Sequence, residues 1–313
     1  MATRAVLVYA TDDGFADILS ARQLPELSVI DAKSEKEAKD SIANVDILLA
    51  NPRLIAPLIA EAKRLRWLQT VTVGVDALLK SGLRRDYMLT NARGILGPKL
   101  AEYTFAHILS YKKHVLELHE EMQQKVWDSR STSSLVGETI TILGTGSIGS
   151  HIAMVAKAFG MRTVGFRKKK EPVDYFDEIF GTDGLPDALA KGDYVVSVLP
   201  ATSETDDIIR AETIANMKDG VVVINIGRGN AVHTGDLLNA VRSGKIKRAI
   251  LDVFKQEPLP QESALWSEEN IVVTPHMAGY ADAESVVALF ADNYHRFRAG
   301  EEMKYRVDFA KGY

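Results

Sequence analysis

The sequence predicts an α/β protein made of two doubly wound, parallel-sheet domains. A chain of 313 residues is long enough for about two domains, each with its own core. Two separate series of short apolar runs alternate with helical stretches, the pattern of strands joined by helical crossovers. The strands of the second series are almost wholly apolar, as parallel strands covered on both faces must be.

In the first hundred residues "AVLVY", "LSVID", "DILLA", "LQTVTV" and "MLTNA" read as strands, with "EKEAKDSIAN" and "IAPLIAEAKRL" as helices between them. Gly74 in "TVGVD" closes an apolar run at the kind of strand end where such sheets meet ligand. Pro98 suits the first turn of a helix. Leu100, Phe105, Ile108, Tyr111, Val115 and Leu118 continue it at helical spacing, so one helix of about 25 residues is expected. The second series then runs "TITILG", "RTVGF", "DYVVSVLP", "GVVVINIG", "RAILDVF" and "NIVVTPH", followed by a last helix from Glu284 to Ala299. Repeats, low-complexity tracts and Gly/Ser-rich linkers are absent, so the two domains are expected to share a cleft.

Composition limits the function. A hydrophobic content of 46% and a charged content of 26% are ordinary for a soluble enzyme, and a net charge of −4 argues against nucleic acid or anionic membrane as a partner. Without cysteine there can be no disulfide, thiolate nucleophile or Cys-ligated zinc, and no metal is expected. "MATRAVLVYA" holds no secretory apolar region, and no run approaches the ~20 apolar residues of a membrane span. A cytoplasmic location is the expectation.

Gly144, Gly146 and Gly149 form G-x-G-x-x-G between the strand "ITIL" and the helix "SHIAMVAKAFG". In that frame the first glycine makes the turn, the second lets backbone approach a pyrophosphate and the third permits close helix–strand packing. Ser147 and Ile148 lie at the helix start, whose N–H groups face the phosphates. Arg167 stands 18 residues after Gly149, where an acidic residue would hold the ribose diol of NAD. A guanidinium there pairs instead with a 2′-phosphate, and Lys168 adds charge, so NADP(H) is preferred with NAD(H) possible. Lys169 and Lys170 read as solvated. Leu199, Pro200 and Thr205 in "LPATSETDDII" are expected to line the cofactor ribose.

The remaining polar chemistry also follows strands. "INIGRGNAV" presents Arg228 after Ile226 and Gly227, "LDVFKQEPLP" presents Asp252 and Glu257, and "VVTPHMAGY" presents His276. Carboxyl ends of parallel strands are where these sheets place ligands, so the groups are candidates to meet near the nicotinamide. Arg228 has donors to hold a carboxylate and polarise the adjacent carbonyl. His276 would give a proton to the developing alkoxide, and Glu257 as a nearby anion would favour the imidazolium. Arg53, Trp266, Met277 and Tyr280 are further pocket candidates; His107, His114, His119, His151, His233 and His295 read as structural or solvated.

Taken in order, "TVGVD", "GTGSIG", "LPATSETDDII", "INIGRGNAV", "LDVFKQEPLP" and "TPHMAGY" resemble the D-isomer-specific 2-hydroxyacid dehydrogenase family across most of the chain. The resemblance implies a Rossmann cofactor domain, at 100–282, inserted into a flavodoxin-like substrate domain, at 1–99 plus 283–313. It implies a small 2-keto acid or D-2-hydroxy acid as substrate, glyoxylate or hydroxypyruvate above all. Main-chain N–H groups at Val73 and Gly74 are similar to the family's second carboxylate anchor, and Asp252 resembles its contact to the nicotinamide carboxamide. A homodimer through the long helix and the segment after it is implied as well. Two rival readings are a dinucleotide-sensing corepressor and a dehydrogenase of another small anion such as phosphite. The Arg228–Glu257–His276 set weighs against a pure sensor.

Overall fold

The computed structural model describes residues 4–10 and 14–312, and these divide into two compact units: 97–280 forms the second, and the described residues before and after it form the first. The chain therefore passes from the first unit to the second after Leu96 and returns at Ala281.

The first unit begins with β1 (Arg4–Tyr9), α1 (Phe15–Ala21), β2 (Leu27–Asp31), α2 (Glu35–Ile42) and β3 (Ile47–Ala50). Next come α3 (Pro52–Ile55), a 3₁₀ segment (Ala56–Glu61), β4 (Trp67–Thr70) and β5 (Met88–Thr90). The five strands are parallel in the order β2-β1-β3-β4-β5, the flavodoxin-like arrangement. Ser34 opens α2 with a reciprocal cap: its Oγ accepts from Glu37 N–H at 3.3 Å, and Glu37 Oε2 accepts from Lys33 N–H at 2.9 Å. Two expectations fail here. "IAPLIAEAKRL" is not one α-helix, because Pro57 denies the chain an amide donor and the segment tightens to 3₁₀. β4 stops at Thr70, where the Thr70 and Thr72 hydroxyls turn back on Thr72 O (2.7 Å) and Gly74 O (2.8 Å), so Gly74 lies in a turn rather than at a strand end.

The second unit opens on α4 (Gly97–Lys112) and α5 (Val115–Gln123). The single long helix expected here is broken at His114, whose φ of 53° and ψ of 38° are left-handed. No glycine or proline marks the break, and the apolar spacing runs straight through it. The sheet then follows as β6 (Thr139–Leu143), α6 (Ser147–Ala158), β7 (Arg162–Phe166), β8 (Glu178–Phe180), α7 (Leu185–Lys191) and β9 (Tyr194–Ser197). It ends with α8 (Ala211–Ala215), β10 (Val221–Asn225), α9 (Thr234–Arg242), β11 (Ile246–Leu251) and β12 (Ile271–Val273). The seven parallel strands lie in the order β12-β11-β10-β9-β6-β7-β8. Strand order reverses on either side of β6, the Rossmann switch point beside which ligands bind. Every residue of β6, β9 and β10 is buried, which accounts for their largely apolar sequences, with Thr139, Thr141, Ser197 and Asn225 as buried polar exceptions.

The chain returns to the first unit as α10 (Ala283–Ala299), capped by Asp282 Oδ1 accepting from Ser285 N–H at 2.8 Å. Phe290 of α10 stacks on Trp67 with ring centroids 4.8 Å apart. A wholly buried polar relay runs beneath it. Trp67 Nε1 donates to Thr90 Oγ1 at 2.8 Å, Thr90 donates to Gln69 Oε1 at 2.7 Å, and Asn293 Nδ2 donates to the same Oε1 at 3.2 Å. Among the described residues no helix is long and apolar enough to cross a membrane.

Candidate active site

The glycine loop has the shape its spacing predicts. Gly144 follows β6 with φ 102°, a conformation that side chains resist. A Cβ on Gly149 would fall 1.9 Å from Gly144 O, so this helix–loop contact admits only glycine. In front of Gly146, by contrast, a Cβ would meet no described atom within 4 Å. Ser150 N–H makes the first bond into α6, to Gly146 O at 2.9 Å, leaving the N–H groups of Ser147, Ile148 and Gly149 ahead of it. Open space before a helix N-terminus is what a pyrophosphate needs. Arg167 follows β7 directly and is held there by its N–H bond to Phe180 O at 3.1 Å. Its guanidinium lies 3.9 Å from Glu171, and Lys168 Nζ pairs with Glu204 at 2.7 Å. No acidic residue takes the diol position, so the residues present fit a dinucleotide bearing a 2′-phosphate.

Leu199, Pro200 and Thr205 occupy the turn after β9. Thr205 is buried, and its hydroxyl closes that turn by donating to Pro200 O at 2.7 Å and accepting from Thr202 N–H at 3.0 Å. Ile226, also buried, donates its N–H to Ser197 O at 3.1 Å.

Arg228 sits on a turn that two glycines make possible. A Cβ on Gly227 would approach Leu199 N to 2.7 Å, and one on Gly229 would come within 1.9 Å of the Phe254 carbonyl carbon. Asn225, buried at the end of β10, shapes the turn: its Nδ2 donates to Arg228 O at 3.0 Å and its Oδ1 accepts from Gly227 N–H at 3.3 Å. The Arg228 turn is thereby packed on the segment bearing Glu257, whose Oε1 accepts from Phe254 N–H at 3.1 Å. The other oxygen of Glu257 lies 2.8 Å from His276 Nδ1. His276 is left-handed (φ 53°) and 44% exposed, while Glu257 is 20% exposed, so the imidazole keeps an open edge and its acidic partner a sheltered one.

Asp252 is 1% exposed, and its oxygens accept from Thr274 Oγ1 at 2.6 Å, Met277 N–H at 2.8 Å and Ala278 N–H at 3.0 Å. Its backbone C=O takes His276 N–H at 2.9 Å. The family resemblance assigns Asp252 to the carboxamide; the structure has it gripping the His276 loop from beneath. Tyr103 of α4 reaches Thr274 with its hydroxyl at 2.6 Å. Sequence reading passed over Tyr103, Asn225 and Thr274; the only signal for Asn225 and Thr274 is a polar side chain ending an otherwise apolar run.

The remaining candidates make the following contacts. Trp266 Nε1 donates to Pro260 O at 2.8 Å, Arg53 is exposed at the start of α3, and His233 caps α9 by accepting from Asp236 N–H at 3.3 Å. Val73 and Gly74 belong to the first unit, where Asn91 Nδ2 donates to Val73 O at 2.9 Å. No cluster of three or more metal-ligating side chains occurs among the described residues.

Residues 105–278 match the family model described as D-isomer specific 2-hydroxyacid dehydrogenase, NAD binding domain. The chain belongs to the D-isomer specific 2-hydroxyacid dehydrogenase family. A glyoxylate reductase of Aeropyrum pernix is 34% identical to this dehydrogenase over 243 residues, 74% of this chain and 72% of that protein. A family member from Aeromonas salmonicida has a solved structure that is 41% identical, with a TM-score of 0.93 over 98% of this chain and all of that one. The NADPH-dependent glyoxylate/hydroxypyruvate reductase of Sinorhizobium meliloti, solved with NADP and sulfate, is 25% identical, with a TM-score of 0.88 over 99% of this chain and 100% of that one. The dehydrogenase is thus an oxidoreductase of 2-hydroxy acids that carries the family's dinucleotide-binding domain.

Proposed function

We propose that this dehydrogenase is an NADP(H)-preferring reductase of small 2-keto acids, glyoxylate or hydroxypyruvate above all, that yields the D-2-hydroxy acid. The observation that carries the reading is the 2.8 Å contact between His276 Nδ1 and the sheltered Glu257 carboxylate. It commits Nδ1 to Glu257 and leaves Nε2 as the nitrogen that works on substrate. When bound, the dinucleotide supplies the hydride that reduces the keto carbon. Arg228 holds the substrate carboxylate and draws charge onto the carbonyl oxygen. His276 Nε2–H gives its proton to that oxygen as the alkoxide forms, and takes it back in the oxidative direction. Glu257 fixes the tautomer and orientation of the ring.

Gly144, Gly146, Ser147, Ile148 and Gly149 would hold the pyrophosphate. Arg167 and Lys168 would take the 2′-phosphate, displacing Glu171 and Glu204. The NADP bound to the Sinorhizobium relative agrees with that preference. A second copy of the chain is the natural cover for the apolar face of α5 and the segment after it. There Val115, Leu116, Met122 and Val126 are half-exposed or more, and Trp127 is 95% exposed.

The test is initial-rate turnover of wild type and Arg167→Asp with NADPH and NADH, on glyoxylate, hydroxypyruvate, pyruvate and a branched 2-keto acid. Wild type should prefer NADPH, and the variant should lose that preference by about tenfold or more, the worth of a charge-assisted pair. A wild type that prefers NADH refutes the cofactor assignment.

A further inference from the structure

The loop that carries His276 is gripped by a short stretch of α4. Lys99 Nζ donates to Tyr280 O at 2.8 Å, and a Cβ on Gly279 would meet Leu100 Cγ at 2.9 Å. One turn further on, the Tyr103 hydroxyl lies 2.6 Å from Thr274 Oγ1. Thr274 has a single hydroxyl hydrogen and donates it to Asp252 Oδ1 at 2.6 Å. The hydrogen between Tyr103 and Thr274 therefore belongs to the tyrosine. Donation runs in one direction, from Tyr103 to Thr274 to Asp252, onto a carboxylate that also gathers Met277 N–H and Ala278 N–H. Burial pushes the Tyr103 hydroxyl up to about 12, so its proton stays in place through any ordinary working range. Between the two ends of this relay stands His276 in a left-handed conformation, which persists only where the surroundings over-determine it.

We propose that Tyr103 is a positioning residue of this dehydrogenase, fixing through Thr274 and Asp252 the strained backbone from which His276 meets the substrate. The inference rests on the proposed role of His276. Neither Tyr103 nor Thr274 needs to touch substrate or cofactor for this. Removing the hydroxyl frees the loop to relax, and the imidazole drifts from its proton-transfer geometry. The loss falls on kcat, with substrate and cofactor binding little changed.

The experiment measures steady-state NADPH oxidation with the fastest of the four keto acids. It compares wild type, Tyr103→Phe, Thr274→Val, Thr274→Ser, the Tyr103→Phe/Thr274→Val double variant and His276→Ala. Tyr103→Phe and Thr274→Val should each lower kcat about tenfold, the worth of one buried hydrogen bond, with both KM values within about twofold of wild type. The double variant should lose no more than either single one, because the two groups act as a unit. Thr274→Ser, which keeps the hydroxyl, should restore kcat. Wild-type kcat in Tyr103→Phe beside an inactive His276→Ala overturns the positioning role alone. Losses that multiply in the double variant, or a serine variant as poor as the valine one, overturn it too. An active His276→Ala overturns the reading of His276 and this inference with it. Should Tyr103→Phe fail to fold, the contrast of valine with serine at position 274 decides the same question.

Discussion

Gly149 and Gly229 show how little room the site leaves a methyl group. At Gly149 the obstacle is Gly144 O and at Gly229 the Phe254 carbonyl carbon, each 1.9 Å from an added Cβ, and backbone cannot yield as a side-chain tip can. Gly149→Ala should therefore raise KM for the dinucleotide by about tenfold or more, since the phosphate loop itself must shift. Gly229→Ala pushes on the segment that delivers Glu257, and should lower kcat while the protein stays folded, as circular dichroism would show. His276→Ala should cost about 10²- to 10⁴-fold in kcat, the ordinary range for a positioned acid; undiminished turnover removes His276 from the mechanism. At this scale the sequence shows the glycine spacing, the cations after β7, and Asp252 with the order of Arg228, Glu257 and His276. It hides Asn225, Thr274 and Tyr103. Their importance lies in which loop each one holds, and bonds between segments far apart in the chain leave no local pattern.

Helices and strands differ in how openly they declare themselves. β6, β9 and β10 are buried on both faces and read as largely apolar runs. β8 is three residues long and α8 five, too short for any period to register. The break between α4 and α5 leaves no mark either, because His114 adopts φ 53° without being glycine. His114→Gly should stabilise the protein by about 0.5–1 kcal/mol, relief of left-handed strain less glycine's extra chain entropy. Urea unfolding measures it, and a destabilised variant would show that the imidazole itself supports the bend. A second prediction concerns α10. Lys304 Nζ lies 2.9 Å from Asp292, and that bond, helped by Arg296, holds the Asp292 carboxyl below its ordinary value. A depressed carboxyl stabilises fully above the ordinary range, near about pH 4, and loses its contribution as pH falls through the lower folded value. Lys304→Met should flatten the fall in Tm on the acid side of about pH 4.

At the scale of the whole molecule, two parallel sheets of different strand order share one chain, the seven-stranded one inserted into the five-stranded one. The two parallel sheets follow from the two apolar series visible in the sequence, whereas the insertion is implied only by the family resemblance. The crossing after Leu96 coincides with Gly97-Pro98, while that at Ala281 carries no proline of its own. If a second copy covers the apolar face of α5, Trp127→Lys with Met122→Lys should convert a dimer to a monomer in light scattering after size exclusion. A wild-type monomer at micromolar concentration would refute the pairing.

The docking of α10 on Trp67, Gln69 and Thr90 also dictates a timetable for biosynthesis. When the ribosome has made residue 280, every strand of the seven-stranded sheet exists, and that unit can close. The amino-terminal sheet, begun first, must wait with its tryptophan unstacked and its glutamine short of one donor until Phe290 and Asn293 emerge. A message truncated just short of α10 would thus yield one finished body tethered to an unfinished one, and cellular proteases would be expected to trim it to the former.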